Sequence, residues 1–270
     1  MRVPGGRAGG FGCIGLLVVL AISLLTGADP RQLLPLLGLV EQMAPPPTAQ
    51  SGGTPPPDDP QAQFIKRVLG STEEVWAQTL QGRYREPRLV LFDGRVASAC
   101  GYASSAVGPF YCPGDQQVYL DLSFFRELDR RFGAPGDFAQ AYVVAHEIGH
   151  HVQNLLGVSD QVTALQQRAR SQEQANELSV RLELQADCFA GVWASRAAQA
   201  GHYTLDPGDL EEGLRAAAAI GDDKIQEQSQ GYVVPESWTH GSSDMRVRWL
   251  RQGLQSGDPA TCDTFKAGQL

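Results

Sequence analysis

The chain has no run of basic side chains, no glycine-rich loop of the kind that cradles phosphate, no internal repeat and no Cys-x-x-Cys pair. Each absence removes a class of function. A net charge of −8, a pI near 5.1 and the lack of a basic stripe argue against nucleic acid as a partner, because such binding needs concentrated positive charge. Without Cys-x-x-Cys spacing, a cysteine-built zinc site has no support. Acidic residues are missing from residues 1–27, which hold Arg2, Arg7 and the apolar run Phe11 to Leu25. Histidine is scarce, five in 270 residues, so the spacing of any two carries weight. What remains is sufficient for a core: 42% of the residues are apolar, and the length suits one large domain or two small ones.

Two of the histidines stand four apart in His146-Glu147-Ile148-Gly149-His150. On a helix, residues i and i+4 share a face, so both neutral imidazoles can reach one Zn²⁺ at about 2.0–2.1 Å. Glu147, displaced around the helix, can instead take a proton from the attacking water. The surrounding residues predict that helix. Asp137 follows Pro135-Gly136 as its N-cap, and Ala141, Val144, Ala145, Ile148, Val152 and Leu155 recur at helical spacing until Gly157, giving a helix over roughly 138–156. Gly149 inside it costs about 1 kcal/mol relative to Ala, which predicts that another segment approaches the backbone closely at the metal-binding turn.

A hydrolytic zinc site takes three protein ligands and keeps a fourth position open. Thirty-three residues after His150, the run Arg181-Leu182-Glu183-Leu184-Gln185-Ala186-Asp187 places Glu183 and Asp187 one turn apart. They lie on a long helix that opens at Ser171 with a Ser-x-x-Gln capping box to Gln174. Glu183 is the expected third metal ligand. Asp187 is the expected acceptor for the outer nitrogen of a ligating imidazole, which fixes its tautomer. The alternative is a solvated acidic face, against which Leu178, Leu182, Phe189, Val192 and Trp193 crowd.

These motifs, with the N-terminal Gly-rich apolar segment, Phe64-Ile65, Gly70-Ser71-Thr72-Glu73-Glu74-Val75-Trp76, Phe110-Tyr111-Cys112-Pro113, Val118-Tyr119-Leu120-Asp121, Glu183 through Gly191 and Thr239-His240-Gly241, resemble the bacterial neutral zinc metallopeptidases. That family consists of membrane-anchored proteins of gluzincin type, and the shared motifs span most of residues 10–265. The resemblance implies a zincin-like domain and a single Zn²⁺. The segment His240-Gly241-Ser242-Ser243-Asp244-Met245-Arg246 is also similar to the His-Pro-x-x-x-x-Arg segment of another gluzincin group, with Gly in place of Pro. His240 is thus a candidate donor to the oxyanion of the tetrahedral intermediate, or else a surface residue. Arg246 either pairs with a buried carboxylate or lies exposed on a helix with Met245, Trp249 and Leu250. His151 is read as facing away from the ligands, and His202 as part of a Gly201-His202-Tyr203 turn.

Positive residues before the apolar run and acidic ones after it predict a cytoplasmic N-terminus and an exported remainder. Residues 1–40 are read as a cytoplasmic tip and one transmembrane helix; the alternative is a signal peptide cleaved near Thr26-Gly27-Ala28, giving a secreted protein. Leu33-Leu34 and Leu36-Leu37 extend the apolar character past that point, and the resembling family keeps its segment as an anchor to the cytoplasmic membrane. Cys13 precedes the run, which argues against a lipoprotein signal and suits a lipid-buried thiol. Residues 41–61, with seven prolines, read as an extended linker, leaving 62–270 as the catalytic domain.

The four cysteines of that domain read as a disulfide framework with three possible pairings. Cys100–Cys112 is the local choice, and Cys188–Cys262 would then tie the C-terminal tail to the helix bearing Glu183. Gln117-Val118-Tyr119-Leu120-Asp121-Leu122 alternates as a half-buried strand, and by resemblance it is the edge strand that pairs with an extended substrate. Leu89 to Phe92, followed by Asp93-Gly94, reads as a second strand. Helices are expected over roughly 62–80, 123–132, 138–156, 171–200 and 207–228, the last with Asp206 as N-cap and Pro207 at N1. The expected fold is α+β, mostly α, with a small antiparallel sheet. The expected function is hydrolysis of peptide bonds in exported or envelope proteins and peptides. A zinc-bearing binding or chaperone-like protein without turnover and a non-peptidase zinc hydrolase are the alternatives.

Overall fold

A computed structural model describes residues 56, 58–104, 108–130 and 133–270. The predicted membrane anchor, Cys13 and most of the linker lie outside the described residues. Among those described, no helix is long and apolar enough to cross a membrane. The first helix, α1 (Pro60–Leu80), starts two residues inside the segment assigned to the linker. Asp59 accepts the Ala62 N–H at 2.8 Å, and Pro60, which has no N–H to leave unpaired, takes the first helical position. Ile65, Leu69, Thr72 and Trp76 then recur every three or four residues and are buried.

Five short strands follow: β1 (Arg88–Phe92), β2 (Arg95–Ser98), β3 (Gly101–Ser104), β4 (Phe110–Cys112) and β5 (Gln117–Asp121). Strands β2 and β3 form a separate antiparallel hairpin, and the other three form one sheet in the order β1-β5-β4. Two features of this sheet differ from expectation. The sheet is mixed rather than antiparallel, because β1 runs parallel to β5, from Arg88 opposite Gln117 to Phe92 opposite Asp121. The β2–β3 hairpin and β4 supply the long crossover that a parallel pair requires. Strand β5 is central rather than an edge, since β4 covers its other side with Phe110 opposite Tyr119. Tyr119 and Asp121 on its other face are buried too: Tyr119 stacks on Phe110 and donates its hydroxyl to Asp115 at 2.7 Å, so both faces are covered where the alternation suggested one.

The remaining helices are α2 (Leu122–Arg130), α3 (Asp137–Leu155), α4 (Val158–Gln166), α5 (Gln172–Ala200), α6 (Asp209–Ala219), α7 (Asp222–Gln230) and α8 (Ser243–Ser256). Gly136, not Asp137, caps α3; Asp137 is the first helical residue, where its charge still favours the N-terminal dipole. Helix α6 begins after Gly208 rather than at Pro207. The single helix expected over 207–228 is two, broken at Gly221, where even a Cβ would stand 2.4 Å from the Ser243 nitrogen. Ser171 caps α5 by accepting the Gln174 N–H at 3.2 Å, whereas the Gln174 side chain takes the N–H of Arg170 rather than closing the box on Ser171. Helix α4 was not expected: only Val162 on it is buried, so its periodic signal is weak.

Helices α3, α5 and α8 pack at backbone distance. A Cβ on Gly149 would lie 2.9 Å from the Ala186 carbonyl oxygen, so the predicted close approach is that of α5. On the other side of α5, a Cβ on Gly191 would strike the Leu250 carbonyl oxygen at 2.2 Å, and one on Gly253 the Cys188 carbonyl oxygen at 1.9 Å. Both expected disulfides form: Cys100–Cys112 joins the hairpin to β4, and Cys188–Cys262 holds the tail on α5. Gln185 adds a hydrogen bond to the Cys262 carbonyl, and Arg181 one to that of Thr264. The Gly149 contact sets α5 against α3, and with it the register of Glu183 against the two histidines, while Gly191, Gly253 and the braced tail hold the other side of α5.

Candidate metal centre

His146 and His150 lie one turn apart on α3, and Glu183 faces them from α5. The Nε2 atoms of the two imidazoles are 3.2 Å apart. Glu183 Oε2 is 3.2 Å from His146 Nε2, and Oε1 is 3.4 Å from His150 Nε2. A tetrahedral zinc with arms of about 2.0–2.1 Å separates its ligand atoms by about 3.3–3.4 Å, which is the spacing between the two imidazoles and from each imidazole to its nearer Glu183 oxygen. Three of the predicted site residues are thus brought together with the predicted spacing. A second convergent group, Asp137, Asp209 and Glu212, offers oxygen alone.

Electrostatics within the triangle follow from burial and proximity. Burial opposes charge on His146, but the Asp187 carboxylate and the contact with Glu183 outweigh it and raise its pKa to about 10. His150 is raised, against burial, by Glu183. Burial would push Glu183 upward, yet the imidazoles hold it well below the usual carboxylate range. A cation bound to these three groups takes the place of protons on the histidines, so metal affinity weakens as pH falls.

Asp187 is where the sequence reading placed it and is more heavily used than expected. Its Oδ1 accepts from His146 Nδ1 at 2.8 Å and from the Tyr142 hydroxyl at 2.6 Å. Arg246, reaching in from α8, pairs with both oxygens at 2.9 Å. Arg246 is therefore the buried partner of a carboxylate, not an exposed side chain. Asp187 is held low, since Arg246 and His146 outweigh its burial. Tyr142 escaped the sequence reading, although it sits four residues before His146 and so on the same helical face.

His150 is oriented by Gln153, whose Oε1 lies 2.9 Å from Nδ1 and whose Nε2 donates to the Leu182 carbonyl on α5. Glu147 is buried beside the triangle without being one of its ligand atoms. Burial raises its pKa, with the two imidazoles pulling the other way. His151 is fully buried: its Nε2 donates to the Arg85 carbonyl at 2.6 Å, so Nδ1 accepts from the Tyr111 hydroxyl at 3.1 Å. Tyr111 also accepts from Asn154. At about 100° per residue, His151 and Asn154 flank the side of α3 that carries Glu147, so β4 runs along that side. His151 hence points toward the sheet, where it had been read only as facing away from the ligands. His202 lies in its expected turn and pairs with Glu74 at 2.6 Å.

His240 lies within electrostatic reach of Glu183, its side chain 52% exposed, in the loop before α8. Its Nδ1 is 3.0 Å from Thr239 Oγ1 and 3.4 Å from Asp222 Oδ1. Asp222 raises its pKa against burial, and Glu183 adds to the effect. Gly241, next to it, has φ +87° and packs on Val180 and Leu184 of α5, which sets the loop over the helix that bears Glu183.

The family model described as "Putative neutral zinc metallopeptidase" matches residues 2–265. Among curated proteins, the chain is 48% identical over 267 residues to "Uncharacterized protein YpfJ" of Escherichia coli strain K12, covering 98% of this chain and 88% of that one. It is 50% identical over 209 residues to "Uncharacterized protein Rv2575" of Mycobacterium tuberculosis strain H37Rv, covering 74% of this chain and 69% of that one. No solved structure matches it.

Proposed function

The chain belongs to the neutral zinc metallopeptidase family, and on that premise we propose that it hydrolyses peptide bonds through one Zn²⁺ held by His146, His150 and Glu183, within a zincin-like domain of gluzincin type. The observation that carries the reading is the ligand triangle with a buried carboxylate, Glu147, beside it rather than in it. A structural metal site needs no such carboxylate. Bound zinc supplies Lewis acidity, polarising the scissile carbonyl and lowering the pKa of water toward neutrality. Glu147, its pKa raised by burial toward that of a working base, takes the proton of the attacking water and returns it to the leaving amine. His240 donates to the oxyanion, Asp187 fixes His146 through Nδ1, and Gln153 fixes His150.

With β5 central in the sheet, an extended substrate is left an outer edge, and we place it along β4, the edge tied to the Glu147 side of α3 through Tyr111. The two disulfides support an oxidising compartment, and hence a domain outside the cytoplasmic membrane with residues 1–40 as its anchor. Exported or envelope proteins and peptides are the substrates such a placement offers. The test uses zinc-loaded protein with both disulfides formed, incubated with a mixture of unfolded proteins, new chain termini being read by mass spectrometry. New termini in the wild type and none with Glu147→Gln are expected; equal cleavage by both would remove Glu147 from its role.

A further inference from the structure

We propose that Asp222 is the positioning residue for His240: one carboxylate builds the loop that carries the imidazole and pairs with its Nδ1, so that Nε2 donates to the reacting oxygen. The inference rests on the peptidase reading above. Asp222 Oδ2 accepts the main-chain N–H groups of Thr239 at 2.7 Å, His240 at 2.6 Å and Gly241 at 3.1 Å. The Asp222 N–H donates in return to the Gly241 carbonyl at 2.9 Å. With Oδ2 so used, Oδ1 is the oxygen that lies 3.4 Å from His240 Nδ1.

The neighbouring carboxylate completes the clamp. Asp223 Oδ1 accepts both the N–H of Ser243 at 2.7 Å and its hydroxyl at 2.8 Å, so the two residues that open α7 grip the 239–243 segment at both ends. Burial does not explain why α7 sits there, since none of its residues is buried. The side chains of Asp222 and Asp223, together with Gln226, whose amide donates to Ser237 Oγ and accepts from the Val234 N–H, hold it to the loop.

In the proposed ion pair Nδ1 carries the proton, because a carboxylate only accepts, and the nearer Thr239 Oγ1, at 3.0 Å, serves as a second acceptor. An imidazole paired in this way donates from Nε2 only as the imidazolium, which is the form that an adjacent carboxylate stabilises. Around the ring, Asp222 and Glu183 favour the imidazolium, Arg246 opposes it, and Thr239 adds a hydroxyl at Nδ1. The loop therefore presents a charged donor within electrostatic reach of Glu183 without burying it.

The experiment compares Asp222→Asn, which keeps the shape and one oxygen acceptor but removes the charge, in the zinc-loaded wild type and in a His240→Ala background. In the wild-type background kcat should fall about 10- to 100-fold with KM and zinc content nearly unchanged. In the His240→Ala background the same substitution should change kcat less than about 2-fold, because the group it acts through is gone. The His240 imidazole, followed by NMR in the zinc-loaded protein, should titrate at lower pH in Asp222→Asn. Should that variant lose the loop, Asp222→Glu restores the charge and should recover both the titration and the rate. Equal losses in both backgrounds, or an unchanged titration, overturn the proposal and leave Asp222 a builder of the loop only. If the wild type cleaves no peptide, the peptidase reading fails by itself, and the titration still decides the pairing of Asp222 with His240.

Discussion

His146 and His240, two imidazoles with different tasks in the proposed chemistry, are held in opposite ways. His146 has an 8% exposed side chain and leans on Asp187, which is fully buried and pinned in turn by Arg246 and Tyr142. His240 is 52% exposed and leans on Asp222, whose own anchors are main-chain N–H groups of the loop it holds. Helices α3, α5 and α8 converge on the first; α7, with no buried residue, supports the second. The difference matches the demands of the two tasks. A ligand triangle has to be right to a few tenths of an ångström whether or not substrate is present, whereas a donor to a developing charge has to leave room for the peptide that enters.

If the buried half carries the chemistry, the largest effect belongs there. Glu147→Gln is expected to lower kcat by about 10²- to 10⁴-fold while zinc content by atomic absorption stays stoichiometric. Glu183→Ala should instead lose the metal itself, and identical zinc binding by both variants would erase the distinction between ligand and base. Next is the ion pair beneath the ligands. Arg246→Ala leaves Asp187 buried without its cation, and should cost about 3–5 kcal/mol in urea unfolding. A cost under about 1 kcal/mol would mean that the site tolerates an unpaired carboxylate, contrary to the rigidity ascribed to it. Gly149→Ala comes third, at about 1–3 kcal/mol, because the added methyl meets the Ala186 backbone rather than a side chain that could turn away.

The two halves also differ in how much of them could be read from the sequence. His146, Glu147 and His150, then Glu183 and Asp187, are short-range patterns: a helix converts spacings of four into a shared face, and nothing distant is needed to see it. Gly149 was legible for the same reason, as a glycine that costs stability inside a helix and so implies a neighbour. Arg246 was legible only as one of two choices, since its partner lies 59 residues away on another helix. The position of β5 was misread because alternation reports the two faces of a strand and says nothing of its two edges. Strand β4, which covers one of those edges, is three residues long and too short to show a period. Gly221, inside the helix expected over 207–228, carried the same signal as Gly149, but its neighbour, Ser243, is a tertiary contact that the sequence does not name. Asp222 had no pattern at all, because its work is done on main-chain N–H groups, which every residue but proline offers.

The smallest effect is expected where the fold is held least by burial. Ile225 on α7 and Tyr232 just beyond it are 41% and 62% exposed. Neither fills a core, so Ile225→Ser and Tyr232→Ser should each change unfolding free energy by no more than about 0.5 kcal/mol. Amide exchange offers the sharper measurement on the same segment. Amides of α3 and α5, whose central turns are buried, should exchange only on global unfolding, whereas those of α7 should open at a lower free energy, since hydrogen bonds from Asp222, Asp223 and Gln226 rather than apolar contacts hold that helix. Protection of α7 equal to that of α5 would show that the exposed half is as rigid as the buried one. The contrast between His146 and His240 would then be one of solvent access alone, and the loop would have to admit substrate without moving.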